Sequence, residues 1–506
     1  MAPFILYVLL SHLSIQTSGY IQPNEEGLIS GVITDKGLDY AKDLLIEEGI
    51  ASFVQLQLPE VEKSIQVPLV GNAKVVLSNI TIKGIKVNSS TVKTGETGIV
   101  IAVSGANANL TMKWRYSVSS WLIPIGVSDS GTATIKVKDM QVGLTVNLKN
   151  QEGTLNLFLL DYGCYVRNLS IKLEGGATWL YQVLVDTFEG SIASSVEKAI
   201  TEKIREGIEK LDNLLQYLPK QISLDKTATL NVSFVGNPVL SNSSIAIAVN
   251  GLFTGRNEVS VPQVYPKEFE ISSACGGLPK MIKVSIHENV FKSASLVYFN
   301  AGSMQLVIDE LPEKTILNTA EWRFIVPQLY KSYPNDDMQL NITVSSPPVI
   351  QVTNQDIDAT IFVDITVDVL EDGEVIPVAC ISVDISASCA AEIVGNRIAG
   401  RLKLQKFSAY LKWSKIGKLH MKLIQPLMST ALKTVIIPYL NFQLKRGLTF
   451  PIIDGFAFQK ANILYAPPWI AACSDVSFLG EYYTSNQLIN HKITLKNVSD
   501  VFMLRE

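Results

Sequence analysis

A run of basic residues with aromatic neighbours is the feature of this sequence that most directly suggests binding chemistry. Between Lys63 and Arg115 the chain has seven basic residues and one acidic residue, although its net charge is −4. Cations pair with phosphate groups, while indole and phenol rings favour the interface between headgroups and acyl chains. The run therefore predicts recognition of a phosphorylated lipid. The basic residues are Lys63, Lys74, Lys83, Lys86, Lys93, Lys113 and Arg115, with Trp114, Tyr116 and Trp121 at the end of the run.

Two other interpretations of this run have to be weighed. Lysines that simply face solvent from strands would give the same pattern, and this alternative stays open. Basic residues interleaved with aromatic ones also suit single-stranded nucleic acid. A net charge of −4 and a pI near 5.8 argue against a nucleic-acid binder or a globally cationic lytic protein. We therefore predict no nucleic-acid partner.

Signatures of catalysis and of cofactor binding are missing from the sequence. It contains no GxSxG, GxxxxGK[ST] or HExxH motif, and no glycine fingerprint that opens a helix after a strand. Adjacent carboxylates at Asp336-Asp337 and Glu371-Asp372 stand among polar residues that are typical of solvated turns. The histidines are scattered, at His12, His287, His420 and His491. We predict a non-enzymatic protein with no cofactor and no metal.

The amino terminus has the composition of a leader. An apolar run over 4–10 is followed by small and polar residues up to Gly19, which predicts a secretory signal peptide over 1–19; a buried strand is the alternative. No later segment reaches the roughly 18 residues of a membrane span without a charge or a proline. We therefore predict a secreted, extracellular protein, apoplastic if the source is a plant.

Sequons and cysteines fit an exported protein. Eight sequons predict N-glycosylation, at Asn79, Asn88, Asn109, Asn168, Asn231, Asn242, Asn341 and Asn497. The five cysteines form no CxxC pair and are too sparse for a disulfide-stapled scaffold. Because their number is odd, at least one thiol has no partner within the chain.

Two helical stripes organise the predicted fold. From Leu180 to Leu218, ahead of Pro219, apolar residues recur every three or four positions, which predicts one long amphipathic helix. A second helix over about 416–440 contains Pro426 and Pro438, which predict a kink or a break. A shorter helix is predicted over 35–53. The residues expected to face an apolar lipid or to pack as sealed core, with neither favoured, are Leu184, Phe188, Ile192, Val196, Leu419, Leu423, Leu427 and Val435.

Between the helices the apolar period is two, which predicts antiparallel strands with one covered face. Alternation over 135–148 slips near Asp139, where we expect a bulge. The order helix, meander, long helix runs twice, from about Gly31 and from about Val284. The fold class is α+β.

Several short motifs resemble the family of bactericidal permeability-increasing and lipopolysaccharide-binding proteins, including its plant branch. In chain order they are 36–41 (KGLDYA), 112–114 (MKW), 294–298 (ASLVY), 301–302 (AG), 333–335 (YPN), 345–348 (SSPP), 395–398 (GNRI), 416–417 (IG) and 445–451 (KRGLTFP). The resemblance implies an elongated boomerang of two lipid-binding barrels, each a twisted antiparallel sheet on long helices, joined by a central sheet. It implies an N-terminal barrel over 20–245, a central sheet and linker over 246–283 and a C-terminal barrel over 284–506.

In function, the resemblance implies peripheral binding to anionic lipid. Members recognise lipopolysaccharide through basic residues of the N-terminal barrel, and related plasma proteins transfer lipids. We expect the phosphates of lipopolysaccharide to bind Lys63, Lys83, Lys86, Lys93, Lys113, Trp114 and Arg115, in innate defence, with phospholipid transfer as the alternative. Mammalian members join a strand cysteine to the long helix. Cys164 fits the strand position, but the helix over 180–218 has no cysteine, so Cys164 must be free or pair elsewhere.

Overall fold

The structure is a computed structural model that describes residues 27–67, 71–120, 123–174, 180–255, 275, 279–309, 317–446, 448–449 and 456–478. Within it the chain forms two units, described separately below. The first contains Ile33–Tyr217 and Asn237–Ala246, and the second contains the described residues up to Val32, Leu218–Gly236 and the residues from Ile247 onward. The predicted signal peptide, the extended linker expected over 259–269 and Asn497 lie outside the described residues.

A seven-stranded antiparallel sheet makes up most of the first unit. Its order is β2-β4-β6-β7-β8, with β3 paired to β4 and β5 paired to β6. Asp139 has a φ of 57° at a register shift between β6 and β7, so the predicted bulge is confirmed. The strands are β2 Gln57–Leu58, β3 Val61–Val67, β4 Gly71–Lys86, β5 Ser89–Gly95, β6 Gly98–Ser120, β7 Ile123–Gln151 and β8 Thr154–Glu174.

Two helices accompany this sheet, α1 (Asp35–Phe53) and α2 (Leu180–Gln216). The hydroxyl of Thr34 accepts the N–H of Gly37 at 3.4 Å and caps α1, because the first turn of a helix leaves its N–H groups without partners. Both helices occur where the apolar periodicity predicted them. One face of α2 packs into the same apolar core as the inner face of the sheet.

The second unit contains another seven-stranded sheet, of order β15-β16-β18-β19-β20-β21, with β17 on β18. The helix predicted over 416–440 begins later and ends later, as α5 (Met421–Ala431), a π-helical turn (Leu432–Ile436) and α6 (Ile437–Arg446). The π turn ends two residues before Pro438, whose ring nitrogen cannot donate a hydrogen bond to the preceding turn. The remaining elements are α3 Glu288–Asn300, α4 Pro327–Ser332, β15 Gln305–Ile308, β16 Asp337–Val344, β17 Val349–Val352, β18 Ile357–Glu371, β19 Glu374–Val394, β20 Arg397–Ser414 and β21 Leu448–Thr449.

A six-stranded sheet draws its strands from distant parts of the chain, in the order β11-β12-β1-β14-β23-β22. It is therefore not confined to 246–283, where the sequence analysis placed a central sheet. A small sheet has the order β13-β10-β9. The strands are β1 Ile29–Thr34, β9 Gln221–Ser223, β10 Ala228–Asn231, β11 Phe234–Ser241, β12 Ser244–Val249, β13 Phe253–Gly255, β14 Ile282–His287, β22 Phe456–Ala466 and β23 Trp469–Phe478.

The predicted internal repeat is visible in the element order. The run β1, α1, a meander and a long helix is followed by β14, α3, a second meander and the helices α5 and α6. The two halves differ in their long helix, which is continuous in the first and broken in the second. The α+β fold class is confirmed.

Candidate functional site

Lys113 and Arg115 lie on the outer face of the first sheet. They alternate along β6 with Met112, Trp114 and Tyr116, which are buried, so the cations and the aromatic rings point to opposite faces. Lys74 on β4 pairs with Ser117, two residues from Arg115. Diagonal neighbours of this kind lie about 7–8 Å apart, which brings Lys74 next to Arg115.

Strand register adds two lysines that the sequence analysis missed. On β7, Lys136 pairs with Asn109, whose side chain lies on the same outer face of β6 as that of Lys113. On β8, Lys172 pairs with Thr134, which precedes Lys136 by two residues on β7 and lies on the same face. All of these cations are exposed. We call Lys74, Lys113, Arg115, Lys136 and Lys172 the outer-face cluster.

The other predicted cations do not lie beside Lys113 and Arg115. The Lys63 ammonium donates to the carbonyl of Thr187 at 2.8 Å and lies 5.7 Å from the centre of the Phe188 ring, so it is turned toward α2. Lys83 donates to the side chain of Gln55 at 3.4 Å.

Two further lysines of the run, Lys86 and Lys93, are exposed but lie farther along β6 from Lys113. They pair with Asn107 and Val100, which precede Lys113 on β6 by six and thirteen residues. At about 3.3 Å per residue these separations are about 20 and 43 Å. The predicted seven-residue run is thus not one site.

Trp114 is a core residue, and its predicted part in a surface site is wrong. The side chain is 1% exposed, its Nε1 donates to the carbonyl of Thr132 at 3.1 Å, and its ring stacks on Tyr116. Gly131 faces the indole so closely that a Cβ there would lie 2.6 Å from Cζ2. The ring can neither reach headgroups nor leave its place without disturbing the core.

The predicted lipid stripe of α2 is sealed core over its described part. Phe188, Ile192 and Val196 are each 0% exposed and pack against the sheet, so sealed packing is the alternative that the structure shows. The side chain of Leu184 lies outside the described residues. Farther along the same helix, Ile204, Ile208 and Leu211 are only half-buried. The stripe is therefore sealed from Phe188 to Ile200, half-buried from Ile204 to Leu211, and buried again at Leu215.

Carboxylates of α2 accept hydrogen bonds from backbone N–H groups on the edge of β8 that pairs with no strand of the described sheet. Glu197 accepts the backbone N–H of Val166 at 2.8 Å, and Asp212 accepts that of Leu157 at 2.7 Å. An exposed strand edge otherwise invites pairing with another chain. Burial, reinforced by the Glu197 charge, raises the pKa of the nearby Cys164 thiol to about 12, so this cysteine is inert at neutral pH.

In the second unit the predicted lipid stripe is mostly exposed. Leu419 is half-buried against the core, but Leu423, Leu427 and Val435 are 46–56% exposed. The apolar side chains that α5 and the π turn bury are those of Ile424 and Leu432. Sealed packing is therefore wrong for these exposed positions, and contact with an apolar lipid stays a prediction.

Cysteines and sequons complete the predicted sites. Cys275 and Cys473 form a disulfide, while Cys164, Cys380 and Cys389 are thiols, so the prediction of at least one unpaired thiol is confirmed. Within the described ranges no group of three or more His, Cys, Asp or Glu could hold a metal ion. Asn231 and Asn341 are half-buried. The other described sequon asparagines are exposed, at Asn79, Asn88, Asn109, Asn168 and Asn242, and glycosylation stays a prediction.

Comparison with known proteins gives matches along nearly the whole chain. The family model named LBP / BPI / CETP family, N-terminal domain, matches residues 37–214, and that of the C-terminal domain matches residues 222–467. A BPI/LBP family protein of Arabidopsis thaliana is 46% identical over 90% of this chain and 93% of its own length.

More distant relatives are animal proteins. The lipopolysaccharide-binding protein of Homo sapiens is 24% identical over 90% of this chain and 97% of its own length. A bactericidal permeability-increasing protein of Sebastes schlegelii is 24% identical over 88% and 94%. A crystal structure of lipopolysaccharide binding protein superposes with a TM-score of 0.59 at 20% identity, covering 90% of this chain and all of that one.

Proposed function

Because the chain belongs to the LBP/BPI/CETP family of lipid-binding proteins, we propose that it is a secreted protein that recognises bacterial lipopolysaccharide in innate defence. The outer-face cluster carries this proposal. It presents five exposed cations on neighbouring strands, whereas the chain as a whole is acidic. Phosphates of lipid A would pair with these cations, and the acyl chains would bind apolar surface. The names of animal relatives point to the same ligand.

The cluster retains net positive charge after its local ion pair is counted. Lys74 contacts the carboxylate of Glu62 at 2.7 Å, and both side chains are about half exposed, so this pair contributes little. Glu174 pairs with Thr132 on the same face, beside Lys172. Lys113, Arg115 and Lys136 have no carboxylate at a paired position or at the next position on the same face of their strand, so they are the side chains best placed to bind phosphate.

A charge-matched pair of variants tests the proposal. In the first variant Lys113, Arg115 and Lys136 are replaced by Gln. In the control, three exposed lysines of the same unit outside the cluster, Lys93, Lys149 and Lys210, are replaced by Gln. Each basic residue near an anionic lipid surface contributes up to about 1 kcal/mol, so the first variant should lose up to about 3 kcal/mol of binding to lipopolysaccharide at low salt. Its salt dependence should also be flatter. The control should bind almost normally.

Two results would contradict the proposal. Equal losses in both variants would mean that only net charge matters and that the cluster is not a site. Binding of lipopolysaccharide no tighter than that of phosphatidylcholine vesicles by the unmodified protein would remove the defence function altogether.

Transfer of phospholipid or another apolar lipid is the alternative function, and the half-buried part of α2 favours it. Ile204, Ile208 and Leu211 continue the stripe of Phe188, Ile192 and Val196 but are not sealed. An acyl chain that covered them would gain about 0.8 kcal/mol per buried methylene. Native mass spectrometry of gently isolated protein should then show one or two bound phospholipids, and a clean apo mass would argue against a carrier.

A further inference from the structure

The second unit contains a stretch of chain that is more basic than the run from Lys63 to Arg115. From Ile393 to Arg446 there are eleven Lys and Arg residues and no Asp or Glu, in a chain whose net charge is −4. Every one of the eleven side chains is exposed. Lys412 forms an ion pair with Asp364 at 2.6 Å, the one such pair that these residues make within the described chain. The residues are Arg397, Arg401, Lys403, Lys406, Lys412, Lys415, Lys418, Lys422, Lys433, Lys445 and Arg446.

An exposed apolar stripe runs along the helices of the same stretch. Leu423, Leu427, Ala431, Val435 and Tyr439 follow one another at a spacing of four, and all are exposed. Residues four apart lie one above the other on a helix, so these side chains form a continuous row. Phe442, which is 58% exposed, extends it by a further turn.

The other side of these helices is fixed to the protein, which keeps the row turned outward. Ile424 is buried in the core of the second sheet, and Leu432 is also buried. On α6, the side-chain amide of Asn441 bonds both the N–H and the carbonyl of Leu402, at 2.7 and 3.0 Å. By helical geometry Tyr439 and Phe442 lie on the opposite side of α6 from Asn441 and Leu444.

Cations flank the row at both ends. At the C-terminal end, the Arg397 guanidinium donates to the carbonyl of Arg446 at 3.4 Å, and the Arg446 guanidinium lies 4.9 Å from the Phe442 ring centre. Arg401 and Lys403 stand on either side of Leu402, the residue that Asn441 holds. The N-terminal end is preceded by three exposed lysines, Lys415, Lys418 and Lys422. We call the apolar row with these flanking cations the α5–α6 surface.

From this arrangement we infer that the α5–α6 surface docks on a bilayer of anionic phospholipid. Helices that lie in the plane of a membrane combine an exposed apolar face with flanking basic residues, which pair with lipid phosphates. The inference is independent of lipopolysaccharide binding, because it concerns different residues in a different unit.

The geometry favours lying on the membrane over spanning it. Met421–Arg446 is the one helix of the described chain that is long and apolar enough to cross a bilayer, and 11% of its apolar window is buried. However, Lys433 stands in its middle, Pro426 and Pro438 interrupt it, and Asn441 ties it to β20. A spanning helix would have to break these contacts and take a lysine into hydrocarbon.

Vesicle binding by the full chain tests the inference. Vesicles of phosphatidylcholine containing phosphatidylglycerol are compared with pure phosphatidylcholine by co-sedimentation over a range of salt concentrations. In the apolar variant Leu423, Leu427 and Val435 are replaced by Ser. Its matched control replaces Val307, Val349 and Val375, which are similarly exposed in the same unit, by Ser. The partition coefficient of the apolar variant should fall by more than about tenfold, and that of the control should be unchanged.

A charge variant tests the electrostatic part. Replacing Arg401, Lys403 and Lys422 by Gln should weaken binding to the anionic vesicles by up to about a hundredfold at low salt, at about fivefold per charge. Weak binding to pure phosphatidylcholine should stay unchanged. The Lys93, Lys149 and Lys210 variant serves as the charge-matched control and should dock normally.

Several outcomes separate this inference from its competitors. Normal docking by both surface variants would overturn it, as would a loss of the same size in the controls. If the apolar variant docked normally but changed the oligomeric state in gel filtration, the row would instead be covered by a second copy of the chain. If the unmodified protein bound the anionic vesicles but not lipopolysaccharide, the inference would stand and the proposed function would fall. Thermal unfolding of each variant checks that it is folded.

Discussion

Replacing Trp114 tests whether the tryptophan of the basic run is core or membrane anchor. The ring is almost fully buried, donates one hydrogen bond to Thr132 and stacks on Tyr116. Truncating a buried aromatic ring to Ala costs about 3–5 kcal/mol, because it removes buried area and leaves a cavity. In a unit of this size 1 kcal/mol shifts the melting temperature by about 2–4 °C, so Trp114→Ala should lower it by roughly 6–20 °C.

Two further variants make this prediction sharper. Trp114→Phe keeps most of the apolar volume but leaves the Thr132 carbonyl without its indole donor, so it should cost only about 1–2 kcal/mol. Gly131→Ala leaves Trp114 in place but puts a methyl group 2.6 Å from the indole, so it should destabilise the unit as well. Differential scanning calorimetry and urea unfolding measure all three. A Trp114→Ala protein with normal stability and lost lipid binding would refute the core assignment.

Three other perturbations address the edge of β8, the helix cap at His287 and the disulfide. Asp212→Ala leaves the buried N–H of Leu157 without its acceptor and should cost about 1–3 kcal/mol in urea unfolding; a cost near zero would mean that water replaces the carboxylate. Burial lowers the pKa of His287 below its ordinary 6.5, and its Nδ1 accepts a backbone N–H at the start of α3. Folding therefore favours the neutral ring. The contribution of His287 to the free energy of unfolding is complete above about pH 6.5 and is lost as the pH falls through the lowered pKa. The urea midpoint of the unmodified protein should therefore fall between about pH 7.5 and about pH 5, and His287→Gln should make this fall smaller. Reduction of the Cys275–Cys473 disulfide should destabilise the second unit by about 2–5 kcal/mol, and an unchanged melting curve in dithiothreitol would contradict this.

Local patterns predicted the elements well because local chemistry determines them. α1 starts at a threonine cap and α2 ends ahead of Pro219, so both boundaries can be read from a few neighbouring residues. The alternation of buried and exposed residues on β6 also predicts that Trp114 and its basic neighbours point to opposite faces. Residues 112, 114 and 116 share one face of a strand, and 113 and 115 share the other, so cations and indole could not have formed one surface.

The outer-face cluster could not be predicted in full because it depends on register between strands far apart in sequence. Lys136 and Lys172 join Lys113 only because β7 pairs with β6, and β8 with β7, in the observed register. Shifting a strand by one residue would turn its lysines to the opposite face. The basic stretch in the second unit is different, since its charge can be counted along the sequence. What the sequence could not supply is the exposure of Leu423 and Val435, which follows from how α5 and α6 are attached.

The attachment of helices to strand edges explains why similar element orders give different surfaces in the two units. In the first unit α2 follows β8, and the carboxylates of Glu197 and Asp212 accept N–H groups of that strand. In the second unit Asn441 of α6 both donates to and accepts from one residue of β20. The amide of Asn441 satisfies the hydrogen-bonding groups of this strand edge without adding a negative charge. The positive potential of the cations on β20 and α6 is therefore not reduced. Carboxylates in the same place would pair with those cations, and a surface suited to anionic lipid would be lost.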